Sequence, residues 1–385
     1  MNSELLTRGV SHTFPSSEAL KKELSGGRKL RIYWGVDPTG PTLHLGHVSV
    51  LLKLRDWQGE GHQIVVLFGD FTARIGDPTD KKAVRKTLSP EEIENNLKLY
   101  REQIGKILDL DKIEFRHNSE WLAKLSFAEV LELASQVTLA QTIKRDMFQK
   151  RIAENKDLFL HEFLYPLMQG YDSVALEVDM EIGGNDQIFN MLVGRDLLKK
   201  MRGKEKFVVA TKLLTDSAGL KMGKTEGNMV SFTDTPSDAY GKIMSWSDDL
   251  VAPGLELLTR LTDSQIKHIL SGHPKEAKME LAREVVSLIY DESEADRAQE
   301  NFINTFQRGE EPEEWEEINA SYGEKLSEIL SRAGAVKSKS DFRRLVEEGA
   351  VTEWPNKNLT VVDQIFTAEI KLKVGKRRFL HVVSR

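Results

Sequence analysis

The stretch from Leu30 to Phe68 constrains this chain more than any other. Leu30-Arg31-Ile32-Tyr33-Trp34-Gly35-Val36 reads as a strand ending in the turn Asp37-Pro38-Thr39-Gly40-Pro41. Gln63-Ile64-Val65-Val66-Leu67-Phe68 reads as a second strand, nearly all apolar. Such a strand calls for a sheet covered on both faces. Between them, His47 to Trp57 carries Val48, Val50, Leu51, Leu52, Leu54 and Trp57, enough for a helix packed on that sheet. Strand, helix and strand in this order make a βαβ unit with a right-handed crossover.

The pattern continues downstream. Ser89 as N-cap, Pro90 at the first position and Glu92 closing a capping box predict a helix start. Its buried face is Ile93, Leu97, Tyr100, Ile104 and Ile107. Apolar stretches at Ala175–Ile182 and Phe207–Ala210 predict further strands, so the first 230 or so residues read as one doubly wound α/β domain. Beyond Pro236 the pattern turns helical, with Ala277, Leu281, Val285, Leu288 and Ile289 at helical spacing in Lys275–Tyr290. Gly309–Glu317 packs six Glu into nine residues around Pro312 and Trp315, which predicts a linker or exposed edge.

Composition narrows the function classes. A chain of 385 residues implies two or three domains. With no cysteine, disulfides, thiol catalysis and thiolate zinc sites are excluded. No apolar run reaches the roughly 18 residues of a membrane span, and Met1–Thr13 lacks the pattern of a signal peptide, so the expectation is a cytoplasmic protein with no membrane partner. The net charge of -6 is uneven: Ser331–Arg385 holds 12 Lys+Arg against 6 Asp+Glu, a local +6. A basic tail on an acidic body suits either a polyanion or a solvated surface.

Two motifs carry chemistry. His44-Leu45-Gly46-His47 follows the first strand and opens the first helix, where free N–H groups and the helix dipole suit phosphate. The two imidazoles add donors, and Gly46 leaves room for a flat adenine. Lys221-Met222-Gly223-Lys224-Thr225 sits in a Gly-rich loop whose lysines could neutralise a departing pyrophosphate, worth roughly 3 kcal/mol per well-placed group.

Together, HxGH and KMxKT in this order resemble the paired signatures of class I aminoacyl-tRNA synthetases, which bind ATP between them. Tyr33–Thr39, Gly76-Asp77-Pro78-Thr79, Tyr165–Asp172 and Gly183-Gly184-Asn185-Asp186-Gln187 each look like a block of the bacterial tyrosyl-tRNA synthetases, as do Gly69-Asp70-Phe71-Thr72 and Glu162–Tyr165 of one branch. The resemblance implies a Rossmann-like doubly wound parallel sheet in a catalytic domain over 1–235. A helical domain over 236–318 and a small α+β RNA-binding domain over 319–385 would follow.

It also implies roles. Tyr33 and Asp172 would hold the substrate's phenolic hydroxyl, because a buried carboxylate left unbonded by phenylalanine is costly. Asp77, Tyr165 and Gln169 would grip the α-ammonium with three acceptors, and the spacing of Tyr165, Gln169 and Asp172 puts them on one helix face. Gln187 would lie near the substrate carbonyl. Asp37, Gly46, Gly184, Asp186 and Met222 would bind ATP. Thr39, His44, His47, Lys221, Lys224, Lys81 and Arg85 would serve the phosphates during transfer. ATP enters as substrate with Mg²⁺ carried on its triphosphate rather than in a protein metal site. Tyrosine and its tRNA complete the partners, and a homodimer is implied because the family's tRNA spans two subunits.

In the tail, Leu326–Gly334 and Ser338–Leu345 resemble the helical hairpin of a ribosomal-protein-type RNA-binding domain, and Val374–Phe379 its closing strand. Lys337, Lys339, Arg343 and Arg344 would contact backbone phosphates. Relatives turn with Asn-Gly after Val351, whereas this chain reads Thr352-Glu353-Trp354-Pro355-Asn356. A plain nucleotidylyltransferase, a tryptophan enzyme and a catalytically retired RNA-binding protein are the alternative readings.

Overall fold

Apolar strands alternating with helices build a six-stranded sheet in a computed structural model that describes residues 3–78, 89–215, 229–312, 315–355, 357–362, 364–375 and 378–384. Its strands are β1 (Val10–Phe14), β2 (Arg31–Val36), β3 (Gln63–Phe68), β4 (Ile113–His117), β5 (Met180–Gly184) and β6 (Phe207–Thr211). The spatial order is β1-β6-β5-β2-β3-β4; β2 to β6 run parallel and β1 joins β6 antiparallel at the edge. In β3 every residue after Gln63 is buried, as its composition demands.

From β2 the chain steps outward through β3 to β4, then crosses back to lay β5 and β6 on the other side of β2. The order therefore reverses between β2 and β5. Strand ends at such a reversal face a crevice with no crossover helix above it, which is where open α/β sheets bind ligands.

Two strands of this sheet, the edge strands β1 and β4, carried no signal strong enough to be expected. β4 alternates Ile113, Glu114, Phe115, Arg116 and His117, with Arg31 bonded to Glu114 (2.8 Å) and Arg116 to Glu120 (2.6 Å). Charged side chains of this kind suit a sheet edge. The stretch expected as a strand from Ala175 divides instead. Helix Tyr165–Leu176 runs through its start and ends at Glu177 with φ +49°, and β5 begins only at Met180. Helices Tyr165–Leu176 and Ile188–Arg202 lie close together, because a Cβ on Gly170 would sit 2.8 Å from Leu197.

Helices Pro236–Met244, Val251–Leu258, Asp263–Leu270 and Pro274–Ile289 follow. Arg260 grips Asp56 of helix Leu45–Gly59 through two bonds of 2.9 Å, tying this helical region to the sheet domain. The chain divides into two compact units, Met1–Glu292 and Ser293–Arg385.

The second unit has its own sheet, ordered β7-β11-β10-β8-β9: β7 (Glu316–Ala320), β8 (Val351–Glu353), β9 (Lys357–Asn358), β10 (Ile370–Val374) and β11 (Arg378–Ser384). Leu326, Ile329, Leu330, Phe342, Val346, Leu372, Leu380 and Val382 form its core. The glutamate-rich stretch runs directly into β7, which pairs in parallel with β11. Trp354 and Pro355 lie between the paired strands β8 and β9.

Candidate active site

The crevice at the β2/β5 reversal collects a continuous polar network. Tyr165, opening its helix, donates to Asp37 Oδ2 (2.9 Å) just past β2. Thr72 donates to Asp37 Oδ1 (2.7 Å), Asn118 to Thr72 Oγ1 (3.0 Å), and Asn118 also reaches Asp172 Oδ2 (3.4 Å). The Trp121 indole N–H donates to Asp172 Oδ1 (2.7 Å). Gly69 admits this arrangement, since a Cβ there would stand 1.9 Å from Asp37 Oδ1. Gln187 donates to Asp77 Oδ2 (2.6 Å) and receives a bond from Asn190 (3.0 Å). Gln169 donates to Glu181 Oε1 (3.2 Å) on β5.

Tyr33 is fully buried on β2, its hydroxyl 3.1 Å from Ser173 Oγ. Its ring packs with Val65, Leu67, Leu176 and Val178. Asp172 is thus already held by Trp121 and Asn118, a difference from the expectation of a carboxylate with no partner but the ligand. Two protein donors leave lone pairs on a buried carboxylate, so a hydroxyl still gains by bonding it, with a smaller penalty when it is missing.

The carboxyl groups of the crevice are buried and crowd one another. Burial, opposed by the Thr72 and Tyr165 hydrogen bonds and assisted by Asp77 and Asp70, pushes Asp37 up to about 7. Burial drives the Asp172 carboxyl well above its ordinary value despite bonds from Trp121 and Asn118. The Tyr165 and Tyr33 hydroxyls are raised by burial and then by neighbouring carboxylates. Carboxyl groups that hinder one another's ionisation are relieved by a positive charge among them.

Beside this pocket, the HxGH motif forms a reciprocal cap. Gly46 N donates to His44 Nδ1 (3.1 Å) and His44 N donates to His47 Nδ1 (3.1 Å), with ring centroids 4.1 Å apart. Because each Nδ1 accepts, the proton of each neutral ring resides on Nε2. A Cβ on Gly46 would lie 2.8 Å from the His44 ring, so Gly46 first of all makes room for its own motif. The preceding turn is pinned from helix Pro90–Gly105: Asn96 donates to Pro38 O (2.9 Å), Gln103 to Pro41 O (3.2 Å). Half-buried Thr39 lies in that turn, its N–H donating to Asp37 O (2.8 Å). Gly184 leaves space for Asp186, whose Oδ1 would lie 2.5 Å from a Cβ at 184.

Lys81, Arg85, Lys221, Met222 and Lys224 lie outside the described residues. The flanks of the second motif are described. On one side Thr211 pairs with Gly184. On the other, Leu45 N donates to Val230 O (3.1 Å) and Ser231 bridges His44.

Several site residues escaped sequence reasoning: Thr72, Asn118, Trp121, Glu181, Lys206 and Arg145. Arg145 lies over the Phe189 ring (4.6 Å), and its Nη1 is buried without a hydrogen-bond partner among the described residues. Burial lowers its pKa, while Asp77, Tyr165 and Asp186 act in the opposite direction. Thr72 ends the Gly69–Thr72 block, but no local pattern announces the role of any of these six, because their partners are brought in by the sheet.

In the second unit Lys337, Lys339, Arg343 and Arg344 are all exposed around the start of helix Lys339–Glu347. Lys339 pairs with Glu328 (2.7 Å), and Arg344 with Asp341 and Glu348 (2.8 Å each). Exposed pairs of this kind contribute roughly 0–1 kcal/mol and exchange readily for other anions. Among the described residues no helix is long and apolar enough to cross a membrane.

Fold and crevice place the chain among the doubly wound α/β proteins that bind a nucleotide at the strand reversal. The profile of the family described as tRNA synthetases class I (W and Y) matches residues 25–307, and the chain belongs to that family. It is 43% identical to the tyrosine–tRNA ligase of Carboxydothermus hydrogenoformans, covering 99% of this chain and 97% of that one. Identity to the tyrosine–tRNA ligase of Thermotoga maritima is 40%, over 98% and 96%. Among solved structures, a C-terminally truncated mitochondrial tyrosyl-tRNA synthetase of Coccidioides posadasii superposes with TM-score 0.62 at 26% identity, covering 77% of this chain and 91% of that one. Tyrosyl-tRNA synthetase of Archaeoglobus fulgidus, solved with L-tyrosine, shares the fold at TM-score 0.61 and 22% identity, over 77% and 98%.

Proposed function

We infer that this chain is a tyrosine–tRNA ligase, which activates L-tyrosine with Mg·ATP and passes the tyrosyl group to the 3′ end of its tRNA. The observation that carries this reading is the network joining Tyr165, Asp37, Thr72, Asn118 and Asp172 beside the imidazole-capped helix. Asp172 and Tyr33 receive the phenolic hydroxyl; Asp77, Tyr165 and Gln169 receive the ammonium. Asp37, Gly46, Gly184, Asp186 and Met222 line the nucleotide, and Gln187 stands by the carboxylate.

The amino acid's carboxylate oxygen attacks the α-phosphorus, the bond to the β-phosphate oxygen breaks, and pyrophosphate leaves. No protein nucleophile or base is needed; the chain supplies alignment and charge. Thr39, His44 and His47, with Lys81, Arg85, Lys221 and Lys224, stabilise the charge growing on the leaving phosphates. Anchoring of both flanks of the Lys221–Thr225 segment, at Gly184 and at His44, supports their joint action. A ribose hydroxyl of the tRNA then attacks the adenylate carbonyl and AMP departs.

Lys337, Lys339, Arg343 and Arg344 hold tRNA phosphates. The protein works as a cytoplasmic homodimer; Phe127, Leu131, Leu139, Phe159 and Leu160 are apolar and exposed within 127–160, a surface that a second copy would cover. Amino-acid-dependent exchange of pyrophosphate into ATP tests the whole reading. Tyrosine should support exchange, with phenylalanine and tryptophan far behind; equal exchange with phenylalanine or tryptophan would refute it.

A further inference from the structure

Beneath the ammonium-binding residues lies a charged pair with no role in the reaction just described. Lys206, immediately before β6, and Glu181, on β5, are 1% and 2% exposed, and their side chains form an ion pair. Burying two charges costs several kcal/mol per ion, and an apolar pair of similar volume often folds as well or better. The chain nevertheless makes space for the pair. A Cβ on Gly194 would stand 2.8 Å from Lys206 Nζ and 2.7 Å from Ser173 Oγ.

What the pair touches gives it a purpose. Lys206 Nζ donates to Ser173 Oγ (2.6 Å), the atom that meets the Tyr33 hydroxyl. Glu181, the other member, accepts from Gln169 Nε2 (3.2 Å). A glutamine amide has a donor end and an acceptor end of nearly equal shape, so its neighbours decide which end faces where. A carboxylate paired with an ammonium offers acceptors only. It therefore takes the NH2 end of Gln169 and leaves the carbonyl oxygen for the other side. An α-ammonium has only donors and requires that oxygen.

We propose that Lys206 and Glu181 form a positioning pair for amino-acid recognition, holding Gln169 with its carbonyl oxygen toward the substrate's ammonium. The inference rests on the tyrosine-activating reading and adds to it a device two residues removed from the substrate. With Glu181 neutral and Lys206 absent, the Gln169 amide can turn, and its NH2 end repels the ammonium.

The test compares two small probes, tyramine and 4-ethylphenol, which differ by the ammonium group alone. Each is titrated calorimetrically into the full-length wild type and the double variant Glu181→Gln/Lys206→Met, which keeps volume and removes both charges. Tyramine should bind the variant about tenfold more weakly, the worth of one hydrogen bond to a charged group. Binding of 4-ethylphenol, which meets the pair only indirectly through Ser173 and Tyr33, should fall by less than about twofold, and the melting temperature should change little. Wild-type tyramine affinity in the variant, or an equal loss for both probes, would overturn the proposal in favour of a structural pair. If wild-type protein binds neither probe, the tyrosine pocket itself is wrong, a distinct failure that the wild-type titration alone identifies.

Discussion

At the scale of single residues, Asp37 and Asp172 set the character of the crevice. The Asp37 carboxyl is pushed from 3.8 up to about 7, with burial as the main cause. Between those values the folded chain keeps a proton that the unfolded chain has released. Stability from this group is therefore greatest below pH 4 and declines as pH rises toward 7. Asp37→Asn should remove that slope. That rise is worth about 4 kcal/mol, so thermal melts should find the variant more stable than wild type by on the order of 10 °C at pH 8 and equal to it near pH 4; a constant offset across this range would contradict the assignment. Asp172 makes the opposite kind of claim, about the ligand. Asp172→Ala deletes the acceptor proposed for the phenolic hydroxyl and leaves the Trp121 and Asn118 donors without this partner. Tyrosine-dependent exchange should fall by about 100-fold or more, the cost of two or more buried polar groups losing partners. Exchange within a factor of two of wild type would exclude Asp172 from recognition. The alternation of Tyr165, Gln169 and Asp172 on one helix was legible in sequence. Their partners Trp121, Thr72 and Glu181 were not, because each belongs to another element and shares no spacing with them.

Among the elements, helix Leu45–Gly59 shows local sequence acting as both structure and chemistry. Its N-terminus is capped by the imidazoles of the very motif expected to meet phosphate. Gly46→Ala would drive a methyl into the His44 ring, where a Cβ lies 2.8 Å away. The ring must shift, and a catalytic group displaced by about 1 Å can lose on the order of 100-fold in rate. Rapid-quench measurement of adenylate formation should find at least about a tenfold drop, with tyrosine binding preserved; an unchanged rate would mean that the His44 ring plays no part in transfer. This helix and Pro90–Gly105 were readable beforehand because capping residues and apolar periodicity are local signals. β4 and β1 were not, since short edge strands with polar faces exist only through the strand they pair with.

For the whole molecule, the two compact units separate the expected tasks. The family match ends at residue 307, and the second sheet, with its basic helix start, lies wholly beyond it. A chain ended after Arg308 removes β7 through β11 together, whereas a cut after Ser321 would strand β7 without β11. The shorter chain should keep tyrosine-dependent exchange within about twofold. Aminoacylation of tRNA should fall by tenfold or more at physiological salt, since the phosphate contacts proposed for Lys337, Lys339, Arg343 and Arg344 would disappear together. Full charging by the truncated chain would remove the tail from tRNA binding.

Local order alone dictated the apolar strands, the capped helices and the identity of the motif residues, since these depend on neighbours a few positions apart. Everything that makes those residues a site came from the reversal of strand order between β2 and β5. That reversal carries Tyr33, Asp77, Asn118, Asp172 and Glu181 from distant stretches into one crevice. Hydrogen bonds and charge coupling act over a few ångströms, and only the folded sheet brings those distances about.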